Sequence, residues 1–356
     1  MTLEGMGWNS FFAESFAPFS GSGLIPARIV SREGNIYSVE TAAGRIEAPV
    51  AGHFSYIAAG QVDYPAAGDW VLIRETSGVH VIERVLERKS RFSRRTAGRR
   101  SDEQVIAANI DIMFITASLD GGRNFNLRAI ERYMVMVSDS GAEPVIVLNK
   151  CDLCADTGAA VNDAESVAGV APVLLVSALT GLGIDKLAAM TGHGVTAAFT
   201  GPSGVGKSAL VNYLLGRPVQ RTGKQRADDL RGRHTTTTGG LFFTSAGGII
   251  IDTPGLRELK PYGDTESLDD AFPEIADAGS NCRFRDCTHT GEPGCAVMQM
   301  VDDGVLDEAR YLNYVKIREE MEFLDALKSE KGRMERKAKE KSLSKLVKNY
   351  HKSDHL

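Results

Sequence analysis

A phosphate-loop motif constrains the fold of this chain more than any other feature of its sequence. Residues 201–208 read Gly-Pro-Ser-Gly-Val-Gly-Lys-Ser and match the pattern G-x-x-x-x-G-K-[ST]. The apolar run Val195–Thr200 precedes the motif and the helix-like run Ala209–Leu215 follows it, which is the context that this motif requires. Glycines allow backbone N–H groups to turn toward a phosphate, and the helix N-terminus adds a favourable field. The sequence therefore predicts a nucleotide site between a strand and a helix.

The side chains of this motif have separate predicted roles. We expect Lys207 to reach the β- and γ-phosphates and to take part in catalysis, and the hydroxyl of Ser208 to ligate Mg²⁺. Further contacts to the nucleotide are expected from Gly201, Pro202, Ser203, Gly204, Val205, Gly206 and Ala209.

A second motif predicts which base the site accepts. Asn149-Lys150-Cys151-Asp152 ends the apolar run Val145–Leu148, so it projects from the carboxyl edge of a sheet, where ligands bind. A carboxylate at Asp152 can accept from both N1–H and the 2-amino group of guanine, whereas adenine offers no such pair of donors. Asn149 can bond the base edge and Lys150 can cover the ring. Ser177 and Ala178 end the next predicted strand, and the Ala178 N–H can meet the guanine oxygen.

A third region predicts magnesium ligands. Asp252-Thr-Pro-Gly255 closes the apolar run Ile249–Ile251. Asp252 would hold Mg²⁺ through water, and the Gly255 N–H would contact the γ-phosphate. A threonine of the run 235–238 would be the second protein ligand to Mg²⁺; Thr236 is the favoured position and Thr237 the next.

Three cysteines and one histidine near the C-terminus predict a metal centre. Cys282, Cys287, His289 and Cys295 offer three thiolates and an imidazole, which suit a tetrahedral Zn²⁺. Four protein ligands leave no open position, so we expect a structural role. Free thiols in a loop are the alternative. The pair Cys151 and Cys154 has no second pair nearby and is interpreted as incidental.

The N-terminal quarter predicts a small β domain. Short strand-like runs between Ala27 and Val85, separated by turn residues, fit a five-stranded oligonucleotide-binding (OB) barrel, and an SH3-like barrel fits nearly as well. A basic run, Arg84–Arg100, follows and contains Phe92, so we expect it to contact RNA; a solvated hinge is the alternative. The candidate RNA-binding residues are Arg88, Lys89, Arg91, Arg94 and Arg95.

Beyond Ile110, apolar runs alternate with helical stretches, which predicts a mostly parallel sheet. The predicted domains are an N-terminal extension over 1–22, the barrel over 23–90, a basic linker over 91–109, the nucleotide-binding domain over 110–262, a helical zinc-binding domain over 263–330 and a Lys-rich tail over 331–356.

The order of the nucleotide motifs is unusual. The base motif at Asn149–Asp152 and the turn at Ser177 come before the phosphate loop, whereas ordinary GTPases have them after it. The chain therefore resembles the circularly permuted GTPases. Among these it is similar to the ribosome-small-subunit-dependent GTPase A family, through Gly68-Asp-Trp-Val71, through the segment Arg231-Gly-Arg-His-Thr-Thr and through the Cys/His cluster.

This resemblance implies the fold and the function that we expect. The fold is α/β, a circularly permuted P-loop GTPase domain with an N-terminal OB-like β-barrel and a C-terminal helical zinc-binding domain. The protein would bind the small (30S) ribosomal subunit and its 16S rRNA, and hydrolyse GTP during late maturation of the subunit. The subunit would stimulate hydrolysis, and hydrolysis would time release. The resemblance also implies zinc at the four positions named above, and we expect a monomer.

The catalytic group is less defined than the binding groups. Leu256 stands where many GTPases have a water-positioning glutamine, so we expect slow intrinsic hydrolysis. The resemblance suggests that His234 takes part in hydrolysis. The alternative is that His234 contacts RNA or fixes its loop. Arg231 and Arg233 are lesser candidates for stabilising phosphate charge.

Charge and hydropathy limit the alternatives. The net charge of −5 argues against a nucleic-acid partner, but the basic run is a strong local exception. Neither a membrane-spanning apolar run nor the basic start of a secretory signal is found, so we expect a cytoplasmic protein without a membrane partner. Two other functions remain open: an RNA-binding factor with GTP as a static ligand, and a regulatory GTPase without a ribosomal partner.

Overall fold

The computed structural model describes residues 1–52, 54, 58, 60–95, 103–218, 239–253, 256 and 265–323. The chain divides into two compact units, Met1–Pro273 and Glu274–Leu356. The predicted boundary between the nucleotide-binding and zinc-binding domains was placed at 262/263, so the division observed here falls further along the chain.

Five antiparallel strands form the first sheet. Their bounds are β1 Ile25–Glu33, β2 Ile36–Thr41, β3 Gly44–Pro49, β4 Trp70–Thr76 and β5 Val79–Val85. The order in the sheet is β3-β2-β1-β4-β5. A parallel bridge between Val50 and Ile82 brings the end of β3 against β5, and the Ala51 N–H donates to the Ile82 carbonyl over 2.8 Å. This closure makes a Greek-key barrel of the OB type, which decides between the two barrels that the sequence left open.

The N-terminal extension completes an apolar cluster beside the barrel. Helix α1, Ser10–Phe16, begins at an Asn9 cap and buries Phe12. Phe12 and Met6 pack with Trp70, Leu72 and Leu86. The sequence predicted only an N-terminal extension over 1–22, and the structure gives this segment a helix with a packed face.

The segment predicted as a basic linker contains an antiparallel pair of strands. These are β6, Arg91–Arg95, and β7, Glu103–Ala108. Phe92 is only 3% exposed, and its partner in the register is Ala107. The expectation that Phe92 helps the basic run to contact RNA is therefore wrong, because its ring is buried in the protein interior.

A six-stranded sheet forms the centre of the first unit. Its strands are β8 Ile112–Ser118, β9 Glu143–Asn149, β10 Val173–Leu175, β11 Thr196–Thr200, β12 Gly240–Phe243 and β13 Ile249–Asp252. The order is β10-β9-β8-β11-β13-β12, and β12 alone among them runs antiparallel to its neighbour. The associated helices are α2 Leu127–Ser140, α3 Thr157–Ala168, α4 Ile184–Met190, α5 Lys207–Leu215 and α6 Thr265–Ala271.

The strand order reverses between β8 and β11. From β8 the chain adds β9 and then β10 on one side, and it returns with β11 on the other side of β8. In open α/β sheets, such a reversal creates a crevice at the carboxyl ends of the strands. The predicted phosphate loop follows β11 and therefore lies at this crevice.

Buried polar contacts attach the barrel to the central sheet. Arg28 of β1 is 1% exposed, and its guanidinium donates to Thr196 Oγ1 over 2.8 Å and to the Asn109 carbonyl over 3.1 Å. Burial lowers the pKa of Arg28 to about 10, so this side chain stays charged at neutral pH. Gly68 lies at the same contact and has φ of +90°. A side chain is excluded there, because a Cβ would lie 2.2 Å from the Ala108 carbonyl oxygen.

The second unit is helical where the structure describes it. Helix α7, Pro273–Gly279, spans the division between the units, α8 covers Ala296–Asp302, and α9 covers residues 308–323. Arg310 of α9 pairs with Glu274 of α7, with Nη2 and Oε2 3.1 Å apart. Within the described part of the chain, every helix is too short or too polar to cross a membrane.

Candidate nucleotide site and metal centre

Five loops meet at the carboxyl edge of the central sheet. They follow β8, β9, β10, β11 and β13, which are parallel neighbours. The predicted residues Asn149 and Asp252 are the last residues of their strands, and Ser177 and Gly201 follow theirs closely. Motifs that are far apart in the sequence are thus brought to one edge.

The side chain of Asn149 joins three of these loops. Its Nδ2 donates to the Val205 carbonyl over 2.8 Å, and its Oδ1 accepts from the Ala178 N–H over 3.1 Å. Asn149 is 1% exposed, so both hydrogen bonds are shielded from water. The base motif, the Ser-Ala turn and the phosphate loop are therefore held together through one amide.

The phosphate loop approaches its neighbours too closely for side chains at two glycines. Gly201 has φ of +127°, and a Cβ there would lie 2.2 Å from the Thr116 carbonyl oxygen. Gly206 has φ of +101°, and a Cβ there would lie 2.2 Å from Asn149 Nδ2. Helix α5 begins directly after Gly206, without a side-chain cap at its N-terminus. Its first-turn N–H groups are therefore the kind of donors that bind phosphate.

Lys207, the first residue of α5, lies inside the phosphate loop. Its Nζ donates to the Gly201 and Pro202 carbonyls, each over 2.6 Å. The side chain is almost buried, at 8% exposure of the residue, whereas the neighbouring Ser208 is half-buried. An ammonium in this position supplies positive charge to an anion held by the loop.

The base motif presents a cation and a carboxylate. Lys150 Nζ donates to the Gly204 carbonyl over 2.7 Å and to Asp120 Oδ2 over 2.6 Å. Asp152 lies in the short 3-10 turn Cys151–Leu153, with its side chain exposed. Ser177 is fully buried, and its Oγ accepts from the Leu179 and Thr180 N–H groups. Ser177 thus shapes its turn from within.

The predicted magnesium region is described only in part. Asp252 ends β13 opposite Gly240 of β12 and is half-buried. Leu256 is 1% exposed, and its carbonyl accepts from Thr200 Oγ1 over 2.9 Å. The predictions for His234, Thr236, Thr237, Gly255, Arg231 and Arg233 lie outside the described residues.

The predicted metal ligands lie together in the second unit. The donor atoms of Cys282, Cys287, His289 and Cys295 are all within 4.8 Å of one another. The Sγ atoms of Cys282 and Cys295 are 3.9 Å apart, and His289 Nδ1 is 3.5 Å from each of them. A tetrahedron with zinc-type bond lengths would give about 3.8 Å between sulfurs and about 3.6 Å between sulfur and nitrogen. The cluster fits a four-coordinate metal ion.

Other contacts fix the loop that carries these ligands. Glu292 connects two residues of this loop, because its carboxylate accepts from the Thr288 and Thr290 N–H groups, each over 2.9 Å. The Thr288 side chain also donates to this carboxylate. That hydrogen bond is the main cause that lowers the pKa of Glu292 to about 2, and the backbone N–H groups lower it further. The His289 carbonyl accepts from Tyr311 Oη of α9 over 2.7 Å. Hydrogen bonds to the residues around a metal site orient its ligands.

The candidate RNA-binding residues differ in their environments. Arg88 points into the first unit: its guanidinium bonds both carboxylate oxygens of Asp69, at 2.8 and 2.7 Å, and also the Val62 and Tyr64 carbonyls. We therefore correct the assignment of Arg88 as an RNA contact and give it a structural role. Lys89 pairs with Asp111 at 3.0 Å but stays 48% exposed, and Arg91 is exposed. Arg94 and Arg95 belong to β6, and their side chains lie outside the described part.

Sequence reasoning missed Asp120, the partner of Lys150. It follows β8, whose position beside β9 is a property of the sheet order and has no local signature in the sequence. The signal that could have found it is an acidic residue just past the carboxyl end of a buried strand.

The fold and site together define a circularly permuted P-loop GTPase. A phosphate loop and a guanine-type motif share one sheet edge, and the guanine motif comes first along the chain. A solved structure described as "YloQ, a circularly permuted GTPase" has the same fold, with a TM-score of 0.59 at 24% identity over 84% of this chain and 95% of that chain.

The comparisons also establish the family. The family model described as RsgA GTPase matches residues 85–261. The small ribosomal subunit biogenesis GTPase RsgA of Opitutus terrae is 42% identical over 91% of this chain and 90% of its own length. The relative of the same name from Methanosarcina acetivorans is 40% identical over 89% of this chain and 85% of its own. The crystal structure of YjeQ from Thermotoga maritima matches with a TM-score of 0.63 at 30% identity, over 84% of this chain and 98% of that one. The chain belongs to the RsgA family of GTPases.

Proposed function

We propose that this protein binds the small ribosomal subunit and hydrolyses GTP during the late maturation of that subunit, with the subunit stimulating hydrolysis. The relatives named above are called small ribosomal subunit biogenesis GTPases, which supports a GTPase role in the biogenesis of that subunit. A cytoplasmic location and 16S rRNA as the contacted molecule follow from the same proposal.

The observation that carries the nucleotide part is the amide of Asn149. It bonds the phosphate loop at Val205 and the Ser-Ala turn at Ala178, so the groups expected to contact phosphate and base are parts of one site. A guanine nucleotide has both a guanine base and phosphates, and the site can hold the base and the phosphates at the same time.

Each group in this site has a proposed role. The phosphates would be held by the loop 201–209 and by Lys207, and the guanine by Asn149, Lys150, Asp152 and the Ala178 N–H, while Ser177 supports the turn. Mg²⁺ would be held by Ser208, Asp252 and Thr236. His234 and Lys207 are the proposed catalytic groups, and the Gly255 N–H would contact the γ-phosphate. The buried apolar side chain of Leu256 supports this proposal, because it cannot orient the attacking water and another group must do so.

The metal in the second unit is proposed to be a structural Zn²⁺. Three thiolates and one imidazole within 4.8 Å of one another favour zinc over the harder cations Mg²⁺ and Ca²⁺. When bound, zinc would link the loop 282–295 to the start of α8 at Cys295. This region has few apolar residues of its own, so metal binding would contribute folding free energy.

The RNA-binding surface is proposed to be the segment 89–95, through Lys89, Arg91, Arg94 and Arg95. Charge supports this choice over residues 274–323, where acidic residues outnumber basic residues by eleven to five. Phosphate contacts by Lys and Arg position a protein on RNA and make its binding sensitive to salt. We retain the proposed domains, 23–90 as the barrel, 110–262 as the GTPase domain and 263–330 as the zinc-binding region, with residues 91–109 as a basic connection that includes β6 and β7.

A turnover assay tests this function. GTP hydrolysis by the full chain is measured alone and with purified 30S, 50S and 70S particles, each at two salt concentrations. We expect slow basal turnover, strong stimulation by 30S, and weaker stimulation at the higher salt concentration. GTP binding with no stimulated turnover would instead support a static ligand, and equal stimulation by 50S would contradict the small-subunit role.

A further inference from the structure

A carboxylate outside the nucleotide motifs lies between the two main loops of the site. Asp120 comes shortly after Ser118, the last residue of β8. Strand β8 lies between β9, which leads into the base motif, and β11, which leads into the phosphate loop. The carboxyl ends of parallel neighbours meet at one edge, so the residue after β8 can reach both loops.

Asp120 shares an ammonium group with the phosphate loop. Lys150 Nζ is 2.6 Å from Asp120 Oδ2 and 2.7 Å from the Gly204 carbonyl oxygen. The side chains of Lys150 and Asp120 are 29% and 23% exposed, so water reaches the pair only in part. The backbone of Lys150 is left-handed, with φ of +62°, a conformation that a lysine adopts only when its surroundings favour it.

The carboxylate of Asp120 is itself held in place. Its Oδ1 accepts from Ser118 Oγ over 3.2 Å and from the Gly122 N–H over 3.3 Å. The hydrogen bond from Lys150 is the main cause that lowers the pKa of Asp120, so the carboxylate stays ionised at neutral pH. Asp120 is thus a fixed negative charge that faces the lysine of the base motif.

We propose that Asp120 is a positioning residue for guanine-nucleotide binding. It anchors Lys150 against Gly204, so the base motif and the phosphate loop keep one arrangement before the nucleotide arrives. A site that is ordered in advance loses less conformational entropy on binding, and its affinity is higher for that reason. The inference rests on the proposed function, because it assumes that this site binds guanine nucleotides.

The test compares variants of the full chain by isothermal titration calorimetry with GDP and with a non-hydrolysable GTP analogue. Asp120→Ala is expected to raise both Kd values about two- to fivefold, as suits a partly exposed ion pair. Asp120→Asn should raise them less, because an amide oxygen still accepts from Lys150. In 30S-stimulated hydrolysis the change should fall on KM rather than on kcat. Asp163→Ala removes an exposed acid from α3 and is the matched control.

A second series tests whether Asp120 acts through Lys150. In a Lys150→Ala background, Asp120→Ala should cause no further loss of affinity. The assignment is overturned if the wild type binds GDP and Asp120→Ala binds it equally well, or if the two losses simply add. If the wild type binds neither nucleotide, the proposed function fails and this assignment fails with it. Thermal unfolding shows which variants are folded, and Asp120→Asn decides the outcome if Asp120→Ala is not.

Discussion

The hydroxyl of Thr200 donates to the carbonyl oxygen of Leu256 over 2.9 Å, and both residues are almost completely buried. Thr200 is the last residue of β11, directly before the phosphate loop, whereas Leu256 follows the Asp252–Gly255 motif. One hydrogen bond therefore connects the strand that leads into the phosphate loop with the segment that is expected to contact the γ-phosphate.

Loss of this hydrogen bond should destabilise the protein. Thr200→Val keeps the shape of the side chain but leaves the buried Leu256 carbonyl without its donor, which costs about 1–3 kcal/mol. The free energy of unfolding, measured by urea denaturation of the nucleotide-free chain, should fall by this amount. Thr200→Ser keeps the hydroxyl and should lose less. Wild-type stability in Thr200→Val together with a loss in Thr200→Ser would show that the methyl group, and not the hydrogen bond, matters here.

The two ends of α5 allow a sharper test of the nucleotide site. Gly206 and Gly216 both have positive φ, at +101° and +64°, so alanine at either position is strained. Only Gly206 faces a close neighbour, since its added Cβ would lie 2.2 Å from Asn149 Nδ2, whereas nothing lies within 4 Å at Gly216. Gly206→Ala should therefore abolish GDP binding by displacing Asn149. Gly216→Ala should lose about 1 kcal/mol of stability and still bind GDP.

Calorimetric titration with GDP checks this pair, and thermal unfolding shows that each variant is folded. GDP affinity in Gly206→Ala close to that of the wild type would contradict the role of Asn149 as the link between the loops.

The sequence predicted most of the regular elements because their apolar patterns are strong. The structure has short strands between Ile25 and Val85 and alternates strands with helices beyond Ile110, as the sequence predicted. Strand β3, Gly44–Pro49, was missed because Ile46 and Ala48 are its only apolar residues besides the terminal proline. Strand β6 was interpreted as a linker because three of its five residues are arginines, which hide the buried Phe92 in the sequence pattern.

The site was predictable where the chemistry depends on local spacing. The phosphate loop, the base motif and the four metal-ligand candidates each form a recognisable pattern in the sequence. Asp120 and the inward orientation of Arg88 were not predictable, because each depends on a partner that the fold brings close. Asp120 meets Lys150 through the strand order, and Arg88 meets Asp69 because antiparallel pairing places the start of β4 beside the end of β5.

Arg88 and Arg91 should separate stability from RNA binding. The Arg88 side chain is 13% exposed and its partner Asp69 is fully buried. Arg88→Ala would leave a buried carboxylate without its counter-ion, which should cost about 3–5 kcal/mol. Arg91→Ala, at an exposed position, should change stability by less than about 0.5 kcal/mol.

Arg91→Ala should weaken binding to the 30S subunit although it hardly changes stability. Sedimentation with 30S subunits over a salt series should show weaker binding of Arg91→Ala and a shallower dependence on salt, because one phosphate contact is lost. If Arg91→Ala binds 30S with the wild-type affinity and salt dependence, the segment 89–95 is not the RNA-binding surface.

The metal centre is tested by two cysteines that differ only in their surroundings. Cys295 is buried within the Cys/His cluster, whereas Cys154 lies in the first unit beyond the base motif. Elemental analysis of the purified wild type and of Cys154→Ser should find about one zinc per chain, and Cys295→Ser should hold much less, since a structural site needs its full ligand set. Because metal binding supplies folding free energy, proteolysis should cut Cys295→Ser between residues 274 and 323 far faster than Cys154→Ser. Full zinc content in Cys295→Ser would remove Cys295 from the ligand set, and a zinc-free wild type that resists the protease equally well would show that the metal does not stabilise this unit.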